Sequence, residues 1–143
     1  MAHVQHRLTL ATKGQGFYEF TGEAAAFVRE TSASRNLSFG LLTLFCRHTS
    51  ASLLIQENAD PDVQTDLLTF FRHIAPEGRG LYVHDSEGPD DMPAHIRAAL
   101  TQTHLSIPVA DGRMLLGTWQ GVYLFEHRRA PHRREIVLHL SGD

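Results

Sequence analysis

Apolar residues recur along this chain with two periods, two residues and three to four, and the switches between them separate strands from helices. Val4 to Leu10 reads as extended, with Leu8 and Leu10 on one face, and Lys13-Gly14-Gln15-Gly16 ends it in a flexible turn. Thr21 opens an Ala-rich segment through Phe27 and Val28 that reads as a capped helix, stopping in the polar stretch Thr31 to Asn36. Ser38 to His48 is mostly apolar, and the period of two places Leu42, Leu44, Cys46 and His48 on one face, with His48 at the strand end. A second apolar run, Ser52 to Gln56, precedes Asp60-Pro61, the residue types favoured at a helix N-cap and first turn. Val63, Leu67, Phe70, Phe71 and Ile74 then form one helical stripe.

Pro76, Gly78 and Gly80 close that helix, and Leu81 to His84 predicts a short strand before an acidic loop from Asp85 to Asp91. Asp91, with Pro93 two residues on, starts a helix containing His95, Ile96, Ala99 and Leu100. The last third is strand-rich: Leu105 to Val109, a hairpin signal at Asp111-Gly112, Met114 to Leu116, Thr118 to His127 and Glu135 to Leu140. Strands and two or three helices that do not alternate argue against a parallel βαβ sheet. The expected fold class is α+β, an antiparallel sandwich or barrel, in a single domain over residues 1–143.

Composition narrows the chemistry. A formal charge of -3 gives no overall attraction for nucleic acid or anionic membranes, and neither is expected as a partner. No apolar stretch approaches the roughly 20 residues of a membrane span, and no leader pattern opens the chain, so a cytoplasmic location is expected. The lone Cys46 excludes an internal disulfide and a Cys-rich zinc site, and its apolar strand face predicts a packed thiol. Any metal must therefore be held by carboxylates and by some of the 10 histidines.

Four polar clusters stand out. His48-Thr49-Ser50-Ala51-Ser52 offers hydroxyls and close backbone approach to a phosphate, or is an ordinary turn satisfying its own amides. His84 and His95 flank the acidic loop, and folding it back would bring two imidazoles together; with a third His or a carboxylate they suit a zinc-like ion, while apart they are surface groups. Gly117-Thr118-Trp119-Gln120-Gly121 leads into Val122 to His127, with Gln120 and Glu126 on one strand face and Trp119 and His127 on the other. There Trp119 reads as a core filler, and an inward Glu126 needs a metal, a lysine or an arginine. Arg128 to Arg134 reads as a solvated hairpin loop, with Arg128 a candidate anion contact. A serine hydrolase is disfavoured because no Gly-x-Ser-x-Gly elbow is present.

Three segments together resemble the YjbQ family, also called the secondary thiamine-phosphate synthase family: His48-Thr49-Ser50-Ala51-Ser52 with Gln56 to Val63; His84-Asp85 with Asp91-Met92-Pro93-Ala94-His95-Ile96; and Ser106 through Gly117-Thr118-Trp119-Gln120-Gly121 to Glu126-His127-Arg128. The resemblance implies a jelly-roll-like sandwich, a homotrimer and a polar, metal-containing pocket. It carries His48, His84 and His95 over as ligands of a divalent ion, zinc by preference, with Glu126 and His127 as a strand-end pair. Glu126, Asp85 and His127 become candidates for catalysis or for supporting an imidazole. Thr49, Ser50, Ser52, Gln120 and Arg128 become contacts for a small phosphorylated substrate. The implied reaction is a low-level thiamine phosphate synthesis, in which the aminopyrimidine diphosphate joins the thiazole phosphate and diphosphate leaves. The rival expectation is a non-catalytic trimer that binds a metal or an anion. His3, His6, His73, His104, His132 and His139 fall outside these motifs.

Overall fold

Alternating apolar positions and two amphipathic helical stretches fold into a mixed α+β structure of eight strands and three helices in a computed structural model describing residues 1–143. The strands are β1 (Ala2–Thr12), β2 (Gly16–Glu19), β3 (Phe39–Cys46), β4 (Ala51–Glu57), β5 (His104–Ala110), β6 (Arg113–Met114), β7 (Gln120–Glu126) and β8 (His132–Gly142). The helices are α1 (Thr21–Arg35), α2 (Pro61–Ile74) and α3 (Asp91–Leu100). One antiparallel sheet has the order β1-β8-β3-β5-β6 and the other β2-β7-β4.

The core lies where these sheets face each other. Leu42, Leu44 and Cys46 of β3 and Ile136, Leu138 and Leu140 of β8 meet Leu53 of β4 and Val122 and Leu124 of β7, with Phe20, Ala24 and Val28 closing one side. The period of two in β3 is thus realised as read, and burial holds the Cys46 thiol in its protonated form by pushing its pKa up. Asp111 and Gly112 both have positive φ, 51° and 75°, the backbone that a two-residue hairpin demands between β5 and β6. Asp60 caps α2 by accepting the Asp62 N–H at 2.9 Å, and Asn36 ends α1 in the left-handed conformation.

Several expectations are corrected. Thr21 is the first residue of α1 rather than its cap; its hydroxyl donates to Glu19 and accepts the Val122 N–H at 2.8 Å, pinning the helix to β7. Leu81 to His84 forms no strand, because no neighbouring backbone pairs with it and Val83 is fully solvent-exposed. β6 stops at Met114, and the Gln120 N–H closes a turn onto Gly117, so Thr118 and Trp119 precede β7 instead of belonging to it. Trp119 is 62% exposed and fills no core. At Gly121 a Cβ would meet Glu19 Oε2 at 2.8 Å and side-chain carbons of Asn58 and Tyr123 at 3.0 Å, so neighbouring side chains occupy the space beside this glycine. β2 was hidden within the first turn signal because four residues show no period. The α2 stripe is only half used: Phe71 packs edge-on against Phe125, while Phe70 and Ile74 remain exposed. No helix is long and apolar enough to cross a membrane.

The arginine-rich segment is not a solvated loop either. β8 begins at His132, and Arg134 is buried against Glu126, which is 0% exposed. Arg134 Nε donates to Glu126 Oε1 at 2.8 Å and Nη2 to Oε2 at 2.5 Å, while the Thr12 hydroxyl donates to Oε1 at 2.6 Å. The His127 and Arg128 amides complete the shell at 3.0 and 3.2 Å. Burial alone would raise the Glu126 pKa, but Arg134 and these donors hold it below the ordinary carboxylate value. Removing one partner strands a buried charge. Arg134→Met is therefore expected to cost about 3–5 kcal/mol in urea unfolding, and Glu126→Leu/Arg134→Met to recover most of it; a double variant no better than the single one would refute this account.

Candidate functional site

Asp91 opens α3, so the i,i+4 spacing puts His95 one turn away on the same face. The irregular segment between α2 and α3 folds back to bring His84 to the same carboxylate. His84 Nε2 lies 2.7 Å and His95 Nε2 3.1 Å from Asp91 Oδ2, and the two ring centroids are 5.6 Å apart. Glu87 Oε2 lies a further 3.2 Å from His84 Nε2. Thr49 contributes its backbone carbonyl, 2.9 Å from His95 Nδ1.

The carboxylates are fixed from behind by Arg128. Its Nη1 donates to Asp91 Oδ1 at 2.6 Å, its Nε to Asp90 Oδ2 at 3.0 Å, and its Nη2 to the Glu87 carbonyl at 3.0 Å. Burial works to raise the Asp91 pKa, but the hydrogen bond from His84 and the charges of His95 and Arg128 outweigh it and leave it below the usual range. The hydrogen bond to Asp91 raises the His84 pKa.

Hydrogen-bond accounting shows what this arrangement lacks. The Thr49 carbonyl can only accept, so His95 Nδ1 carries a proton. A neutral His95 then turns the Nε2 lone pair toward a carboxylate oxygen 3.1 Å away, two acceptors face to face. A second proton or a cation has to stand between them. One ligand atom from each of His84, Asp91 and His95 lies within 4.8 Å of the others, and two imidazoles with a carboxylate are a donor set suited to zinc. The residues present therefore fit a divalent ion.

The expected ligand set is thus changed in one member. His48 is absent from the cluster; its Nε2 accepts the Glu135 N–H at 2.8 Å, and burial followed by the Arg134 charge keeps its pKa low. Asp91 stands in its place, a carboxylate that the Asp91–His95 helical spacing would have revealed. Asp85 is solvent-exposed and bonds neither imidazole.

The remaining candidates mostly position other groups. Glu126 has both oxygens engaged by Arg134, Thr12 and backbone amides and is closed to solvent. His127 is 0% exposed, with Nε2 2.9 Å from Ser52 Oγ, and burial, then Arg97 and Arg134, lower its pKa to about 3. Ser52 is equally buried and contacts Thr101, beyond reach of a phosphate in solvent. Ser50 Oγ accepts from Arg134 at 3.0 Å. Arg128 commits three of its five N–H groups to Asp90, Asp91 and the Glu87 carbonyl, so its first task is to hold the carboxylates. Gln120 pairs with Glu57, six residues from the Ala51–Glu126 end of the same ladder, so it sits about 20 Å from that end. Its Oε1 accepts the Gly117 N–H at 2.7 Å.

A family model described as UPF0047 protein YjbQ-like matches residues 6–143. The chain belongs to the YjbQ-like UPF0047 family. A UPF0047 protein of Synechocystis is 52% identical over 97% of this chain and 92% of its own length. The UPF0047 protein YjbQ of Escherichia coli O157:H7 is 42% identical over 97% of this chain and 98% of its own. Among solved structures, a conserved hypothetical protein of Thermus thermophilus aligns with a TM-score of 0.79 at 36% identity, covering 92% of this chain and 97% of that one. A YjbQ/UPF0047 protein of Clostridium acetobutylicum aligns with a TM-score of 0.80 at 33% identity, covering 96% and 99%. Family membership agrees with the α+β fold, and the chemistry is left to the residues.

The pH dependence of stability follows from His127. Its unfolded counterpart binds a proton near 6.5, whereas the folded group stays neutral down to about 3, so its contribution is complete above 6.5 and is lost as pH falls toward 3. Between pH 6.5 and 5, wild type is expected to lose about 2 kcal/mol more than His127→Gln in urea unfolding. Parallel pH profiles would show that His127 is not buried in its neutral form.

Proposed function

We propose that this protein is a metal-dependent enzyme acting on a small phosphorylated metabolite, with a divalent ion, preferably zinc, held by His84, Asp91 and His95. The observation that carries the reading is the Thr49 carbonyl on His95 Nδ1, which leaves His95 Nε2 and Asp91 Oδ2 needing a proton or a cation between them, beside the His84 imidazole that completes a zinc-like donor set. Ligand atoms about 2.0–2.1 Å from a tetrahedral ion stand about 3.3 Å from one another. The 2.7 and 3.1 Å separations here need only a small outward adjustment.

Each neighbouring group then has a defined task. Arg128 occupies Asp91 Oδ1 and so turns Oδ2 toward the imidazoles. The Thr49 carbonyl fixes the His95 tautomer with Nε2 free to ligate. Glu87 faces His84 and can accept a proton that the imidazole gives up. A bound ion would neutralise negative charge on a phosphate or a departing diphosphate, the chemistry needed by thiamine phosphate synthesis as a secondary reaction. We also propose a homotrimer. Phe39, 68% exposed, with Leu41 and Phe45 lies on the outward face of the five-stranded sheet, an apolar strip that self-association would cover.

A specific observation favours the second reading, a trimer that binds a metal or an anion without catalysis. Glu126 and His127, the strand-end candidates for proton transfer, are both consumed by packing. Two measurements separate the readings. Chelator-stripped, tag-free protein titrated with zinc is expected to bind one ion per chain; Asp91→Asn and His95→Ala should weaken it by at least about tenfold, and His48→Ala should leave it unchanged. Unchanged binding in the first two would refute the ligand assignment. In assays with both thiamine precursors, His84→Ala and His95→Ala at matched folding should lose product formation. Variants with product formation equal to wild type would remove the pair from catalysis, and zinc binding by a wild type that forms no product would establish the non-catalytic reading.

A further inference from the structure

Arg97 presents a different unsatisfied group. It lies on α3, two residues beyond His95, and is 1% exposed. Its Nη2 donates to the Ala75 carbonyl at the end of α2 at 3.1 Å, and its Nε has no partner. No carboxylate lies within ion-pair distance of it. A buried guanidinium without a counter-ion is costly, and an apolar residue of similar size would pack there at less expense.

The side chain borders a cavity of about 280 Å³ with no hydrophobic lining residue, shared with Arg72, Arg129, Glu77 and Gln15. Three guanidinium groups there face one carboxylate. That carboxylate is already engaged: Gln15 Nε2 donates to Glu77 Oε1 at 2.8 Å, and Arg129 pairs with Oε2. Burial lowers the Arg97 pKa; the more distant charge of Glu77 works against this lowering, and repulsion from Arg72 and Arg129 adds to it. Capping of α2 accounts for one of five Arg97 N–H groups, and with Arg129 paired to Glu77 the charges of Arg97 and Arg72 have no carboxylate of their own in the cavity.

We infer that this cavity is an anion site for a phosphate group, with Arg97 as the buried donor and Arg72 and Arg129 at its rim. A tetrahedral oxyanion would offset the surplus positive charge; the Arg97 Nε is closed to solvent and would donate to it only once the side chains over it move aside, while guanidinium donors match phosphate geometry. The volume suits inorganic phosphate or the phosphate end of a small metabolite. Residues two apart on a helix point about 200° away from each other, so the anion lies on the opposite side of α3 from the imidazoles. The site is therefore separate from the proposed metal centre and does not rest on it.

Its test uses full-length protein in a metal chelator, with inorganic phosphate titrated by calorimetry and thermal shift against chloride at equal ionic strength. Wild type is expected to show saturable binding and stabilisation beyond chloride. Arg72→Ala, an exposed change that leaves the core intact, and Arg97→Lys should each weaken phosphate by at least about tenfold, while Arg133→Ala, exposed and outside the cavity lining, should not. No binding beyond chloride, or wild-type affinity in Arg72→Ala, overturns the inference even if Arg97→Lys fails to fold. Glycerol phosphate in a parallel arm identifies the source: tighter binding than phosphate assigns a metabolite's phosphate, and equal or weaker binding assigns the free ion. Zinc titration of the same variants after the chelator is removed reports separately on His84, Asp91 and His95.

Discussion

The buried pair Glu126–Arg134 organises much of this molecule. Two charges removed from water are tolerable only when their hydrogen-bonding capacity is met, and here the partners come from several directions. Arg134 enters from β8, Thr12 from the end of β1, and the amides of His127 and Arg128 from the chain leaving β7. Arg134 also reaches the Ser50 carbonyl and hydroxyl before β4. A one-residue slip of β8 against β1 or β3 would turn Arg134 outward and leave Glu126 unpaired. The pair therefore specifies register and the relation between the two sheets more than it adds stability.

Its second effect is to place the candidate site. Because Glu126 accepts from the Arg128 amide, the direction in which the Arg128 side chain departs is set, and that side chain holds Asp90, Asp91 and the Glu87 carbonyl together. Asp91 in turn receives both imidazoles. The line from the sheet junction to His84 and His95 passes through charge-assisted bonds at nearly every step, the kind that tolerate little displacement. This explains why so many polar residues of the motifs are unavailable for chemistry. Glu126, Arg128 and Ser50 position other groups, Ser52 pairs with His127 Nε2 in the core while His127 Nδ1 has no partner, and His84, His95 and one oxygen of Asp91 remain to face a ligand.

What the sequence revealed follows the range of the interactions involved. The Leu42–Leu44–Cys46 face, the Asp111-Gly112 hairpin and the Asp60 cap depend on neighbours along the chain, and all were legible. So was the requirement that Glu126 find a positive partner. Which arginine supplied it was not, because Arg134 lies within a run of four arginines whose members have different fates: Arg128 and Arg134 clamp carboxylates, Arg129 pairs with Glu77, and Arg133 stays exposed. The proximity of His84 and His95 was legible as a consequence of folding back the acidic loop. The third member was assigned to His48 by resemblance, although Asp91 already stood one helical turn before His95. Four-residue β2 and partnerless Leu81–His84 show the same limit, since pairing is decided by strands distant in sequence.

Helix α3 also qualifies what net charge can say about partners. A formal charge of -3 argues against polyanions as a whole-molecule average. Yet one short helix separates charge across its own width. Asp91 and His95 lie on the side where a cation resolves the conflict between acceptors, while Arg97 lies on the other, among Arg72 and Arg129. The Arg129 amide and the Arg128 guanidinium both end on Asp90 Oδ2, so the backbone behind the positive cavity is tied to the carboxylates of the negative one. Local separation of this kind is invisible to composition, because opposite charges cancel in the sum, and it requires a fold that holds them apart by the thickness of a helix.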